Sequence, residues 1–245
     1  MPRRGLPLIV AVGLFIAIVG VLAEMISGFG YRANVWDLSA AFHIFVYGSW
    51  VAAAGGVLCL LAALATRPGT GRRGFGLSLL GVILAIAGFG TVMRWRSVAT
   101  SVPPIHDIST DLTNPPDFVA VLPLRAKAPN SAVWDTSTVA KQRTGYPDVQ
   151  PVTLPVPPGA AFHVALAAAR DMGWAIVASD SSAGRIEATA TTTWFGFKDD
   201  VVIRVGPDPK GSRIDVRSES RVGGSDVGTN AARIKTYERR LTARV

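Results

Sequence analysis

Cysteine is almost absent from these 245 residues: Cys59, inside an apolar run, is the only one. With none after it, the C-terminal half can form neither a disulfide nor a thiolate metal site. Charge is scarce too, at 17% of residues, and the mean hydropathy of +0.33 is high for a soluble chain. No Gly-x-Ser-x-Gly elbow, His-Glu-x-x-His pair or dinucleotide fingerprint occurs, so no familiar catalytic or nucleotide motif is signalled. A net charge of +8 and a pI of 10.2 invite a nucleic-acid reading. However, residues 1–101 carry eight arginines against two acids, whereas residues 102–245 carry seventeen basic against fifteen acidic side chains. A nucleic-acid footprint would put the excess on the folded domain, so that class is excluded.

What the sequence does contain is three long apolar runs, at about residues 6–23, 40–65 and 75–93. Each reaches or approaches the ~20 residues that a helix needs to cross the hydrocarbon of a bilayer. Only helices can cross as separate segments, because lipid offers the backbone no hydrogen-bond partners. Arg3 and Arg4 precede the first run, and Arg67, Arg72 and Arg73 crowd the loop before the third. The positive-inside rule therefore places the N-terminus and that loop in the cytoplasm and the C-terminal domain outside, with Arg94 and Arg96 arguing weakly against. The expected setting is a bacterial inner (plasma) membrane. A cleaved signal peptide ending at Ala23 is the rival for the first run, which is longer than a usual signal core; an anchor is preferred. No charged residue falls in the middle of a run, and small residues recur at Ala52/Gly56 and Gly81/Ala85, as close helix contacts require.

Residues 97–157 read as a linker and wrapping segment. Eleven of the sixteen prolines lie within residues 103–158, which argues against long helices there. From residue 158 the patterning is regular. Residues 160–172 read as a helix, followed by strands at 174–180, 185–195, 201–205 and 213–221 and a closing helix at 229–244. The expected fold is α+β: a three-helix transmembrane anchor (residues 1–96), then a two-layer sandwich over 158–245 with a mainly antiparallel four-stranded sheet.

The densest chemistry lies between Arg217 and Arg233. A strand ends in arginines, a glycine-rich loop turns, and a helix begins near Thr229 or Asn230. Arg217, Arg221, Ser225, Asp226, Asn230 and Arg233 are the candidate binding residues, since arginines beside free helix N–H groups suit a phosphate or carboxylate. A structural reading competes: Thr229 or Asn230 caps the helix, Gly223, Gly224 and Gly228 permit the turn, and Asp226 pairs with an arginine. His106, Asp107 and Asp111 offer imidazole and oxygen donors for a metal, but turn chemistry explains them as well. Asp199-Asp200 is expected in an exposed turn. Gly206–Ser212 reads as a hairpin turn, having no lysine after its last glycine. No cofactor and no catalytic residue is assigned.

Five segments carry a resemblance. They are Ile105-His-Asp-Ile-Ser-Thr-Asp111, Asn114-Pro-Pro-Asp-Phe118, Tyr146-Pro-Asp148, Gly196–Val205 and the long block Asp215–Ile234. Together they resemble the family called domain of unknown function 1499, over roughly residues 103–241. The resemblance implies a bacterial or plastid-type envelope setting and brings no reaction, substrate or catalytic residue. Gly224 departs from the polar or basic residue expected at its position. The sequence thus points to an envelope protein whose outer domain binds a protein or an anionic component, without catalysis. The alternatives are a hydrolase-like enzyme using His106, Asp107 and Asp111 with an arginine clamp, and a structural membrane scaffold.

Overall fold

The computed structural model describes residues 6–245 and divides into two compact units. Arg3 and Arg4, used above for orientation, lie outside the described residues. The first unit comprises the residues up to Val98 together with Trp194–Gly196; the second comprises Ala99–Thr193 and Phe197–Val245.

In the first unit, α1 spans Leu8–Arg32, α2 Leu38–Ala65 and α3 Phe75–Ser101, each long and apolar enough to cross a membrane. The helices outrun the apolar runs that announce them, and α1 passes nine residues beyond Ala23. The α1–α2 connection is correspondingly short. Asn34 takes a left-handed conformation, Val35 N–H donates back to Gly30 O, and the Asp37 carboxylate accepts from Ala40 N–H at 2.8 Å to start α2. Glycine sets the helix spacing. A Cβ on Gly20 would stand 2.2 Å from the Ala52 nitrogen, and one on Gly55 would stand 2.3 Å from that of Ala17. Gly56 meets Ala85 and Gly81 meets Cys59 in the same way, so α3 also packs through small side chains. Trp194 belongs to this unit, its indole donating to Met25 O at 2.9 Å while its ring meets Phe45 edge-on.

The second unit is an antiparallel sheet with helices on one face. Its elements are β1 (Asp107–Ser109), α4 (Val139–Gly145), β2 (Val152–Leu154), α5 (Pro158–Asp171), β3 (Ala175–Asp180), β4 (Arg185–Thr191), β5 (Lys198–Asp208), β6 (Gly211–Ser220) and α6 (Thr229–Thr242). The strand order is β1-β6-β5-β4-β3, with β2 also paired to β6. The α+β class holds, but the sheet has six strands rather than four. The proline-rich segment supplies the extra two, β1 and β2, each three residues long, which is as much ladder as the surrounding prolines leave. The β5–β6 hairpin turns through Pro209-Lys210, in agreement with the hairpin reading of that loop.

Register divides the sheet chemically. Ile186, Ile203 and Val216 lie opposite one another, as do Ala188, Val201 and Ser218, and this face packs on Phe162, Ala165, Ile234, Tyr237 and Leu241 from α5 and α6. One residue out of phase lie Glu187, Val202 and Arg217, then Thr189, Asp200 and Glu219. That second face is not left to solvent. Phe118 and Val121, from the proline-rich segment, pack over Val202, and the charged side chains around them are buried.

Candidate functional site: buried ion pairs beneath the wrapping segment

Residues 116–134 lie across the polar face of the sheet and are tied to it by side chains. The short 3-10 turn Leu122–Arg125 is anchored from below by Glu187. Its carboxylate accepts from Val119, Ala120 and Val121 N–H groups at 3.0–3.1 Å, satisfying donors that a helical turn leaves open. Arg125 then reaches down between Asp200 and Glu219, 2.8 Å from each.

Arg217 is fully buried and is the largest such side chain among the described residues. Its guanidinium meets Asp107 in a two-pronged pair (3.0 and 2.8 Å), donates to Ala132 O and approaches Glu219 at 3.5 Å. Phe118 and Trp134 lie over its planar group, with ring centroids 4.8 and 5.3 Å away. Arg221 makes a second two-pronged pair, with Asp200 (2.8 and 2.7 Å), and donates to Leu124 O at 3.0 Å. Three arginines thus face three carboxylates, closed over by apolar and backbone groups of residues 116–134.

Burial dominates the electrostatics. It pushes the Glu219 carboxyl up to about 8, helped by the neighbouring Asp107 charge, and Asp107 is itself raised by burial against the pull of Arg217. Burial would raise Asp200 as well. Hydrogen bonds from Arg221, Thr189 and Arg125 together outweigh it and hold Asp200 below the usual carboxylate range.

The other candidate residues lie on the opposite face. Asn230, fully buried, accepts from Ser218 Oγ at 2.6 Å and donates to His106 O and Ser220 Oγ. Arg233 pairs with Asp199 and bonds Ser218 Oγ. The six residues singled out in sequence therefore do not converge: Arg217 and Arg221 lie under the wrapping segment, and Asn230 and Arg233 lie beneath α6. Neighbours on a strand point to opposite faces, and here that separates Asp199 from Asp200 as well. Both aspartates are buried within β5 instead of standing in an exposed turn.

The helix start is also held differently from the expectation. Asp226, rather than Thr229 or Asn230, accepts from Gly228 and Asn230 N–H groups (2.8 and 2.7 Å), while its own N–H donates to Ile105 O. Ser225 Oγ accepts from Val227 N–H. Gly228 and Val227 both take positive φ, the latter at 54°, a conformation that a β-branched residue rarely adopts. Burial raises the Asp226 carboxyl.

Of the metal candidates, Asp107 is bound by Arg217, and Asp111 is bound by Arg204 and Arg213 at 3.1 and 3.0 Å. Among the described residues no group of three His, Cys, Asp or Glu side chains is arranged to hold a metal.

Arg125, Glu187 and Glu219 carry this network but were not singled out from the sequence. Glu187 and Glu219 had a signal in the strand alternation, with a charged or hydroxyl side chain at every second position of 185–191 and 215–221, whereas Arg125, in a 3-10 turn, had none. The contacts that join the turn to the sheet span 66 to 94 residues in sequence, beyond the reach of local patterning.

Three helices long and apolar enough to cross a membrane, followed by an α+β region, fit a membrane protein. The chain belongs to the family described as Protein of unknown function (DUF1499), which matches residues 107–241, just over half of its length. No curated protein and no solved structure matches the chain.

Proposed function

We propose that this is a multi-pass protein of a bacterial plasma membrane whose C-terminal domain lies outside the cytoplasm and binds another envelope protein, without catalysing a reaction. The observation that carries the reading is a pairing of opposites. The ionisable groups of the densest cluster are matched with one another inside the domain, while the turn that they hold presents Val119, Leu122 and Leu124 to solvent at 45–55% exposure. Apolar side chains fixed in place on a turn form a contact surface more readily than a reaction centre. Arg221, beneath Leu124, keeps a small exposed fraction and supplies a cation at the edge of that surface. The outside location rests on the arginines: Arg67, Arg72 and Arg73 lie between α2 and α3, whereas only Asp37 is charged between α1 and α2.

The test uses the full chain in its own membrane. A photoreactive residue at Leu122 or Leu124 should give one discrete protein adduct, and the same residue at Lys210, on the exposed β5–β6 turn, should give none. Lipid adducts alone, or equal labelling at all three sites, would overturn the protein-binding reading. A reporter fused after Val245 should be active only outside the cytoplasm; cytoplasmic activity would overturn the orientation.

A further inference from the structure

Glu24 lies inside a membrane-crossing helix. At about 1.5 Å per residue, the eight residues from Glu24 to Arg32 put it about 12 Å along the axis from the end of α1. It is 5% exposed, and its Oε1 is buried with no hydrogen-bond partner.

The surrounding helices are shaped around it. A Cβ on Gly88 of α3 would stand 2.6 Å from Glu24 Oε1 and 3.2 Å from Oε2, so the carboxyl occupies space that only glycine leaves open. On α2, Gly48 brings the backbones together, its Cβ position lying 3.0 Å from the Glu24 nitrogen. The buried hydroxyls of Ser27 and Ser49 donate to Glu24 O and Val46 O on their own helices, so neither hydrogen serves the carboxyl. Towards this end the three helices carry Tyr31, Arg32, His43, Tyr47, Arg94 and Arg96 as ionisable groups. Among the described residues no ion pair joins any of them to Glu24.

A carboxyl left without a partner in an apolar bundle is costly, and membrane proteins retain such groups where something binds to them. We infer that Glu24, between Gly48 and Gly88, is a binding site for a monovalent cation, either the proton or an alkali ion. The carboxyl is an acidic oxygen pair packed against Gly88 with no countercharge paired to it, which suits a single positive charge and not an anionic ligand.

Dicyclohexylcarbodiimide, an apolar reagent that adds to protonated carboxyls within membranes, provides the test on the full chain in liposomes. Glu24 should be modified, faster at low pH than at high pH, and the modified peptide should disappear in Glu24→Gln. Gly88→Ala should slow the modification several-fold by filling the space. If sodium at fixed pH protects Glu24, the alkali ion is the ligand; if modification depends on pH alone, the proton is. A Glu24 that stays unmodified at every pH, with helix content intact, would overturn the inference.

Discussion

Glu24 in the helix unit and Glu187, Asp200 and Glu219 in the domain are all buried carboxyl groups, none more than 5% exposed. Their surroundings differ. Each of the three in the domain meets an arginine or several backbone N–H groups at hydrogen-bond distance, whereas Glu24 Oε1 lies against Gly88 with no hydrogen-bond partner. The domain offers dense donors because the proline-rich segment brings free N–H groups and Arg125 onto a polar sheet face. A helix bundle has already spent its backbone donors within each helix, so a carboxyl there must find a side chain, a ligand or nothing. A paired buried charge reads as architecture and an unpaired one as a place where something binds.

The contrast can be broken most forcefully at Arg217. Arg217→Met would leave Asp107 buried without its cation, while Glu219 keeps Arg125, at a cost of roughly 3–5 kcal/mol, and should unfold the domain well below the wild-type midpoint in a thermal melt of the detergent-solubilised chain. Glu187→Gln exchanges a carboxylate that accepts from three N–H groups for an amide with one acceptor oxygen. A loss of about 1–3 kcal/mol is expected, with faster amide hydrogen exchange confined to residues 119–126.

Proton linkage sharpens the same point. The Glu219 carboxyl is raised in the folded domain, so the folded state holds a proton that the unfolded chain releases. Its contribution is complete below its unfolded value near 4.5 and is lost as pH rises through about 8. Glu238, raised by burial to about 7, adds to the same slope. Asp200 has the opposite sign, losing its contribution only in acid. The melting midpoint should therefore fall between about pH 5 and pH 8, and Glu219→Gln should flatten much of that fall while Glu238→Gln flattens less. An unchanged slope in Glu219→Gln would mean that this carboxyl stays ionised between Arg125 and Arg217.

Asp226→Ala removes the acceptor of two N–H groups at the start of α6 and should cost about 1–3 kcal/mol, visible as a melt shift of several degrees. The smallest effect belongs to Glu24. Glu24→Gln replaces a carboxyl whose Oε1 has no hydrogen-bond partner, and the stability of the helix unit should stay within about 1 kcal/mol of wild type. A loss as large as that from Arg217→Met would reveal a structural pair for Glu24 and erase the contrast.

Legibility followed the range of the interactions. Helices α5 and α6 and the four long strands were readable, because period and turn residues such as Gly173 and Ser181–Gly184 act locally, although the strand expected at 185–195 ends at Thr191 and the short α4 was not foreseen. The short strands β1 and β2 were not, since three residues among prolines carry no period; only the exposed edge of β6 defines them. The Arg217–Arg233 block was recognisable as dense chemistry, but its division between two sheet faces follows from strand alternation combined with a fully buried Arg217. Glu24 lies just past the apolar run that ends at Ala23 yet within α1, because a helix continues for as long as its backbone bonds and packing permit.

Composition and periodicity alone determined that this chain has three helices long and apolar enough to cross a membrane, an α+β domain, and no cysteine chemistry after Cys59. These are properties of neighbouring residues and of transfer between water and lipid, which any stretch of sequence carries with it. Only the tertiary structure decided that the arginines are locked to Asp107 and Asp200, that Asp199 and Asp200 part company, and that Glu24 is left unpartnered. Whether a charge is paired depends on groups brought together from distant parts of the chain, and only the folded protein settles which of them meet.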